Sequence, residues 1–116
     1  MRGEPVKVYL ACGETDMRRQ INGLSAIVQE TLGLDPFGAA MYVFCNSRRN
    51  RIKLLWWDQN GFWMYLKRLD KGRFKWPKTG EASTMQLTPE ELDHLLQGTK
   101  LEQKLKRDEL EEPKLY

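Results

Sequence analysis

The feature that most constrains the fold is a thirty-residue stretch, residues 48–77, in which apolar and charged side chains alternate. Two Gly-containing turn signals, at residues 58–61 and 70–72, divide this stretch into three short segments. Alternation with a period of two places successive side chains on opposite faces of a β-strand. The stretch therefore predicts three antiparallel strands joined by tight turns.

The same alternation predicts which side chains share a face of the sheet. On the first strand Arg51 and Lys53 share a face with Trp57, while Ile52 and Trp56 lie on the other. We expect the apolar face that carries Ile52 and Trp56 to pack in the core. We expect the face that carries the cations to be open to solvent.

The stretch is also strongly basic. It contains nine Lys or Arg residues and two Asp residues, a net charge of +7, whereas the whole chain carries +3. A surface of one sign repels itself unless it meets an anionic partner. The alternative interpretation is a solvated sheet face without a partner. The residues predicted to bind nucleic acid are Arg48, Arg49, Arg51, Lys53, Trp57, Lys67, Arg73 and Lys75.

The remaining pattern predicts a single α+β domain over residues 1–98. One main helix, residues 17–32, should pack its apolar stripe on the apolar sheet face. A short C-terminal helix should begin at Thr88, whose position before Pro89 and three residues ahead of Glu91 is typical of a capping box, and end at Gly98. Residues 99–116 are highly charged, and we expect a frayed helix or a disordered tail. The predicted sheet is a small antiparallel meander of residues 41–45, 51–57, 62–68 and 73–76, with residues 6–10 at one edge.

A second candidate site precedes the main helix. Asp16 or Thr15 is a suitable N-cap, which places Arg18 and Arg19 in the first helical turn, where the helix dipole disfavours cations. One interpretation is an anion site formed by Thr15, Arg18, Arg19 and free backbone N–H groups. The other is that both arginines pair with Glu14 and Asp16.

Several classes of protein do not fit the composition. No apolar run is long enough for a transmembrane helix or a secretory signal, so we expect a cytoplasmic protein that does not contact membranes. The two cysteines, Cys12 and Cys45, are far apart in sequence and the chain has one His, so neither a metal site nor a cofactor is predicted. The oligomeric state is left open by the sequence.

Several motifs resemble those of the TnpB accessory protein (Orf2-like family) of the IS-sixty-six class of bacterial insertion sequences. They are TDMR at residues 15–18, LDPF at 34–37, RIKLLWWD at 51–58 and GRFKWP at 72–77, and the resemblance covers roughly residues 6–98. It implies a protein that assists the movement of a mobile genetic element and is encoded beside a separate transposase. It implies no catalytic residues.

Three candidate functions follow from these features and from the resemblance. The first is a DNA-binding accessory module in which cations contact phosphates and aromatic rings stack on bases. The second is a protein adaptor that docks onto the transposase or onto another accessory protein of the element, since exposed Trp, Tyr and Arg are also typical of protein interfaces. The third is an enzyme, for example a metal-dependent nuclease. Asp16, Asp58 and Asp70 look like turn or cap residues rather than convergent metal ligands, so we expect no enzymatic activity.

Overall fold

The computed structural model describes residues 7–99 and confirms the α+β class, with a five-stranded mixed sheet and two helices. No helix within these residues is long and apolar enough to cross a membrane. The elements in chain order are β1 (Lys7–Ala11), α1 (Ile21–Ala26, continued by a π-helical turn, Ile27–Thr31), β2 (Ala40–Cys45), β3 (Arg51–Asp58), β4 (Gly61–Arg68), β5 (Thr84–Leu87) and α2 (Pro89–Gln97).

The strand order is β4-β3-β2-β1-β5, so two parts of the predicted sheet were wrong. Strand β1 lies inside the sheet, parallel to β2 and antiparallel to β5, rather than at an edge. A parallel pair needs a crossover, and helix α1 supplies it in a β1-α1-β2 unit. Residues 73–76 form no strand of the described sheet. Arg73 pairs with Thr99 in an isolated bridge instead.

The sheet is covered on both faces, and this corrects the predicted position of the helix. One face, here called the helix face, packs Tyr42, Phe44 and Leu55 against Leu24 and Val28 of the helical segment. The prediction that the helix packs on the opposite face, with Ile52 and Trp56, was therefore wrong. That opposite face, here called the Trp56 face, is covered by Phe74 and by Leu92 of α2; its sheet residues are Val8, Met41, Val43, Cys45, Ile52 and Trp56.

The main helix is shorter than predicted at its start. It begins at Ile21 rather than at residue 17, and its N-cap, Gln20, makes no side-chain capping hydrogen bond. The helix begins later in the chain because the Asp16 carboxylate accepts a hydrogen bond from the Arg18 backbone N–H, which holds these residues in a turn. The predicted end is confirmed, with Gly33 at a φ of 68° immediately after Leu32.

Helix α2 confirms the predicted capping box. The Thr88 hydroxyl accepts from the Glu91 N–H and the Glu91 carboxylate accepts from the Thr88 N–H. Gly98 ends the helix at a φ of 71°, and Thr99 then exchanges backbone hydrogen bonds with Arg73. The charged tail predicted for residues 99–116 lies outside the described residues from residue 100 onward, so that prediction and the domain boundary stay predictions.

The two adjacent tryptophans of β3 should contribute unequally to stability. Trp56 is 7% exposed on the Trp56 face, whereas Trp57 is only half-buried on the helix face. We expect Trp56→Ala to reduce the free energy of unfolding by about 3–5 kcal/mol and Trp57→Ala to cost clearly less. Urea denaturation of the two variants measures this difference. Equal losses would contradict the assignment of the two side chains to their faces.

Candidate nucleic-acid interface

The turn between β2 and β3 is held in shape by a single side-chain amide. The Asn46 Oδ1 accepts hydrogen bonds from the backbone N–H groups of Asn50 and Arg51, each at 3.0 Å, and its Nδ2 donates to the Asn50 Oδ1 at 2.8 Å. Arg49 adopts a φ of 60°, a left-handed conformation that closes the turn. Arg48 and Arg49 are therefore exposed at the tip of a turn whose backbone has little freedom.

The segment after β4 packs alongside this turn. The Leu69 N–H donates to the Asn50 carbonyl at 2.8 Å, and the Phe74 N–H donates to the Arg49 carbonyl at 2.7 Å. Phe74 is 1% exposed and anchors the segment in the core beneath the Trp56 face. The exposed residues on either side of it, Arg73 and Lys75, are thereby brought next to the turn.

The strand register adds further cations to the same place. Arg51, the first residue of β3, lies directly opposite Arg68, the last residue of β4. The one acidic residue among residues 46–75 at this end of the sheet is Asp70, whose carboxylate lies 3.6 Å from the Arg68 guanidinium. We call the resulting surface the basic end. It consists of seven exposed residues: Arg48, Arg49, Arg51, Arg68, Lys71, Arg73 and Lys75.

Lys53 does not belong to this surface, contrary to prediction. It is 5% exposed, and its Nζ donates to the carbonyl oxygens of Met17 and Arg19 at 2.8 and 2.7 Å. The alternation correctly predicts that Lys53 shares a face with Arg51. That face is the helix face, and the loop leading into α1 covers it as far as Lys53. The ammonium group therefore ties a loop to the sheet and is not available to phosphate.

Two other predicted residues are also separated from the basic end. Trp57 lies near the opposite end of β3, about 20 Å along the strand from Arg51. Its ring meets Phe37 edge-on, with the ring centroids 5.0 Å apart, and meets Phe62 at the same distance. Lys67 is exposed, but it shares the Trp56 face with its neighbour Ile52 and donates to the Leu96 carbonyl at 2.7 Å.

The structure removes the geometric basis for the candidate anion site at Thr15, Arg18 and Arg19. Both arginines precede the helix, so neither occupies its first turn. The Arg18 side chain hydrogen-bonds the Asp16 carboxylate, with Nη2 donating to Oδ2 at 2.7 Å. These bonds lower the pKa of Asp16 to about 2, so this pair persists through the neutral range and is lost only as the pH falls toward that value. Arg18 thus takes the pairing alternative, while Arg19 stays exposed.

The structure brings Arg68 and Lys71 into the basic end, and sequence reasoning left both out. Arg68 lies opposite Arg51 because the hairpin loop is formed by residues 59–60, whereas the Asn60-Gly61 signal taken alone places the loop one residue later and gives a different register. No local signal predicts the position of Lys71, which depends on how residues 69–74 pack against the turn. Within residues 7–99, no three His, Cys, Asp or Glu side chains are grouped so that they could hold a metal ion.

The architecture defines a small α+β protein with a two-layered core and cations concentrated at one end of its sheet. The model of the family described as IS66 Orf2 like protein matches residues 6–106, and the chain belongs to that family. It is therefore an accessory protein of an insertion sequence, in a family that is not a known catalytic one.

Two relatives are both proteins of Sinorhizobium fredii (strain NBRC 101917 / NGR234). The uncharacterized protein y4hO is 38% identical over 96 residues, which cover 83% of each chain. The uncharacterized protein y4jC is 31% identical over 93 residues, which cover 80% of this chain and 79% of the relative. No solved structure matches the chain.

Loss of the Lys53 ammonium should destabilise the fold. Lys53→Met keeps the aliphatic length but leaves the carbonyls of Met17 and Arg19 without their donor, so we expect a loss of about 1–3 kcal/mol in the free energy of unfolding. Lys67→Met is the matched control, because it removes a hydrogen bond to an exposed carbonyl that water can replace, and it should change stability by less than about 0.5 kcal/mol. Urea denaturation compares them, and equal effects would show that burial of Lys53 is not structural.

Proposed function

We propose that this accessory protein binds DNA through the basic end, by contacts to the phosphate backbone. The observation that carries the proposal is the placement of seven exposed cations around one turn, with Asp70 as the one carboxylate that residues 46–75 contribute to it. Cross-strand pairing of Arg51 with Arg68 places like charges opposite each other, which is unfavourable for an isolated protein. A polyanion removes this repulsion, and release of its counterions supplies binding free energy.

The arrangement suits backbone contacts better than reading of base edges. The turn and the ends of β3 and β4 form a short ridge, whereas direct readout uses a helix or ribbon that enters the major groove. Helix α1 is packed against the sheet, and the exposed residues of α2 include Glu90, Glu91 and Asp93, which phosphates repel. Cations on such a ridge hold the nucleic acid without specifying its sequence. We therefore propose binding that depends weakly on sequence.

A protein adaptor is the second candidate function, and one observation favours it. Trp63, Tyr65 and Leu66 of β4 are each about half exposed or more, at 49%, 52% and 58%. Exposed aromatic residues of this kind are enriched at the centres of protein interfaces. Trp63 and Tyr65 lie on the Trp56 face and Leu66 on the helix face, so an adaptor that docks onto the transposase or onto another accessory protein of the element would present this edge of the sheet. The DNA proposal and the adaptor proposal thus assign different residues, which allows variants to separate them.

The DNA proposal predicts a salt-dependent affinity. If the basic end contacts about four to six phosphates, the logarithm of the association constant should fall linearly with the logarithm of salt concentration, with a slope of about −0.9 per contact on duplex DNA and about −0.7 on single strands. Arg51→Gln combined with Arg73→Gln should weaken binding and flatten the slope by about two contacts. Both side chains are exposed, so the variant should remain folded. Fluorescence anisotropy of a labelled oligonucleotide measures both quantities.

A cation remote from the basic end provides the control. Lys7 is exposed at the start of β1, opposite Ala40, and therefore at the far end of the sheet from the turn. Lys7→Gln removes one charge, as Arg51→Gln does alone, but it should leave the slope unchanged. Absence of binding by the wild-type protein at low salt would refute the DNA proposal. Equal effects of the two single variants would show that net charge, rather than the basic end, governs binding.

A further inference from the structure

Strand β4 forms an edge of the sheet that lacks the usual protection. Its eight residues pair with β3 without a bulge, it contains no Pro, and no described strand lies on its other side. Natural edge strands are commonly shortened, bulged or interrupted by charges so that they do not pair with other chains. The opposite edge, β5, follows that rule with only four residues. In β4 the cations are confined to the last two positions, Lys67 and Arg68.

We propose that β4 pairs antiparallel with β4 of a second copy of this chain, about a two-fold axis at Met64. The strand is complementary to itself in this arrangement. Trp63 lies opposite the partner's Tyr65 on the Trp56 face, and Phe62 lies opposite the partner's Leu66 on the helix face. Both pairs keep each side chain on its own face of a continuous ten-stranded sheet. Aromatic and large aliphatic pairs of this kind stabilise adjacent strands.

The distribution of charge favours a second copy and sets the direction of the pairing. Antiparallel pairing places Lys67 and Arg68 of each copy beside the partner's hairpin, at Gly61 and Asn60, where no described cation lies and where Asp58 adds a negative charge. Parallel pairing in register would instead place the cations of the two copies side by side, which is destabilising. Charge repulsion therefore favours antiparallel over parallel pairing of two copies of β4.

The size of the exposed surface predicts a reversible dimer. Large aromatic side chains bury about 150–250 Å² each, and about half of Trp63 and Tyr65 remains exposed. With Leu66, the side chains available amount to roughly 300 Å² per copy, below the ~800 Å² per partner of a standard interface. Main-chain hydrogen bonds between the two strands add to this contact. We expect a dimer that forms at high protein concentration and dissociates on dilution.

The dimer has a consequence that rests on the proposed function. Because the two β4 strands run in opposite directions, the two basic ends lie at opposite ends of the joined sheet, measured along the strands. Such a dimer would hold two DNA segments at once, so that occupancy at one basic end raises the effective concentration of protein near a second segment. Dimer formation itself requires no DNA and is therefore tested without it.

Sedimentation of the full chain, from about 1 μM to about 1 mM, measures the pairing directly. We expect the wild-type protein to form a dimer whose population rises with concentration. In Leu66→Lys the dissociation constant of the dimer should rise about tenfold or more, because Leu66 is 58% exposed and its replacement adds a charge to the edge that pairs. The matched control is Met85→Lys, which introduces the same charge at a residue 44% exposed on the β5 edge and should not change dimerisation. A wild-type monomer at every concentration overturns the proposal, as do equal effects of both variants.

Cross-linking tests the direction of pairing. In a Cys12→Ser background, Met64→Cys should form a disulfide-linked dimer on mild oxidation, because this residue faces its own counterpart across the axis, within the ~7 Å that a disulfide requires. Arg68→Cys is the control, since antiparallel pairing holds it about 25 Å from its counterpart and it should not cross-link. Parallel pairing in register places every residue beside its own counterpart, so cross-linking at residue 68, with or without cross-linking at residue 64, would indicate parallel pairing and overturn the proposal. If neither cysteine variant cross-links and the protein sediments as a monomer, the dimer proposal is overturned, and the exposed residues of β4 remain an argument for the adaptor function alone.

Discussion

The structure depends on strand β2 having no side that faces water. All six of its residues are buried, so each face of the sheet must be covered by another layer. Helix α1 and the loop before it cover one face, while Phe74 and helix α2 cover the other. Covering both faces buries the middle of the neighbouring strands as well. Charged side chains of β3 and β4 can then remain in water only at the ends of the strands or at the outer edge.

This constraint explains where the cations are found. Arg51 and Lys53 share one face and are two residues apart, yet Arg51 is exposed and Lys53 is 5% exposed. The difference is position along the strand, because Arg51 lies at the open end and Lys53 lies under the loop that leads into α1. A buried ammonium group needs hydrogen-bond acceptors, and the carbonyls of Met17 and Arg19 supply them. Two cations of one alternating pattern thus have different roles, since Arg51 is a surface residue and Lys53 is a structural one.

The basic end and the β4 edge are formed by different parts of the same sheet. The basic end is built from turns that pack around Asn46 and Phe74, so its cations are placed by a backbone with little freedom. The edge is built from a strand whose exposed residues, Trp63 and Tyr65, already contact each other and Trp56. Contacts among these rings reduce the side-chain entropy that a partner would otherwise have to overcome. Under the two proposals, the basic end would bind a polyanion and the β4 edge would pair with a second copy of the chain.

Local patterns in the sequence determined several elements of this protein, although the alternation at residues 73–76 and the cap residues before the main helix predicted a strand and a helix start that the described structure does not contain. Alternation of side chains predicted the β3-β4 hairpin, the residues at 88–91 predicted the start of α2, and Gly33 predicted the end of the helical segment, because each signal acts within a few residues. The neighbour of β1, the face that receives the helix and the burial of Lys53 were decided only by tertiary structure. Each depends on contacts between residues distant in sequence, and a period of two reports which side chains share a face without indicating what covers that face.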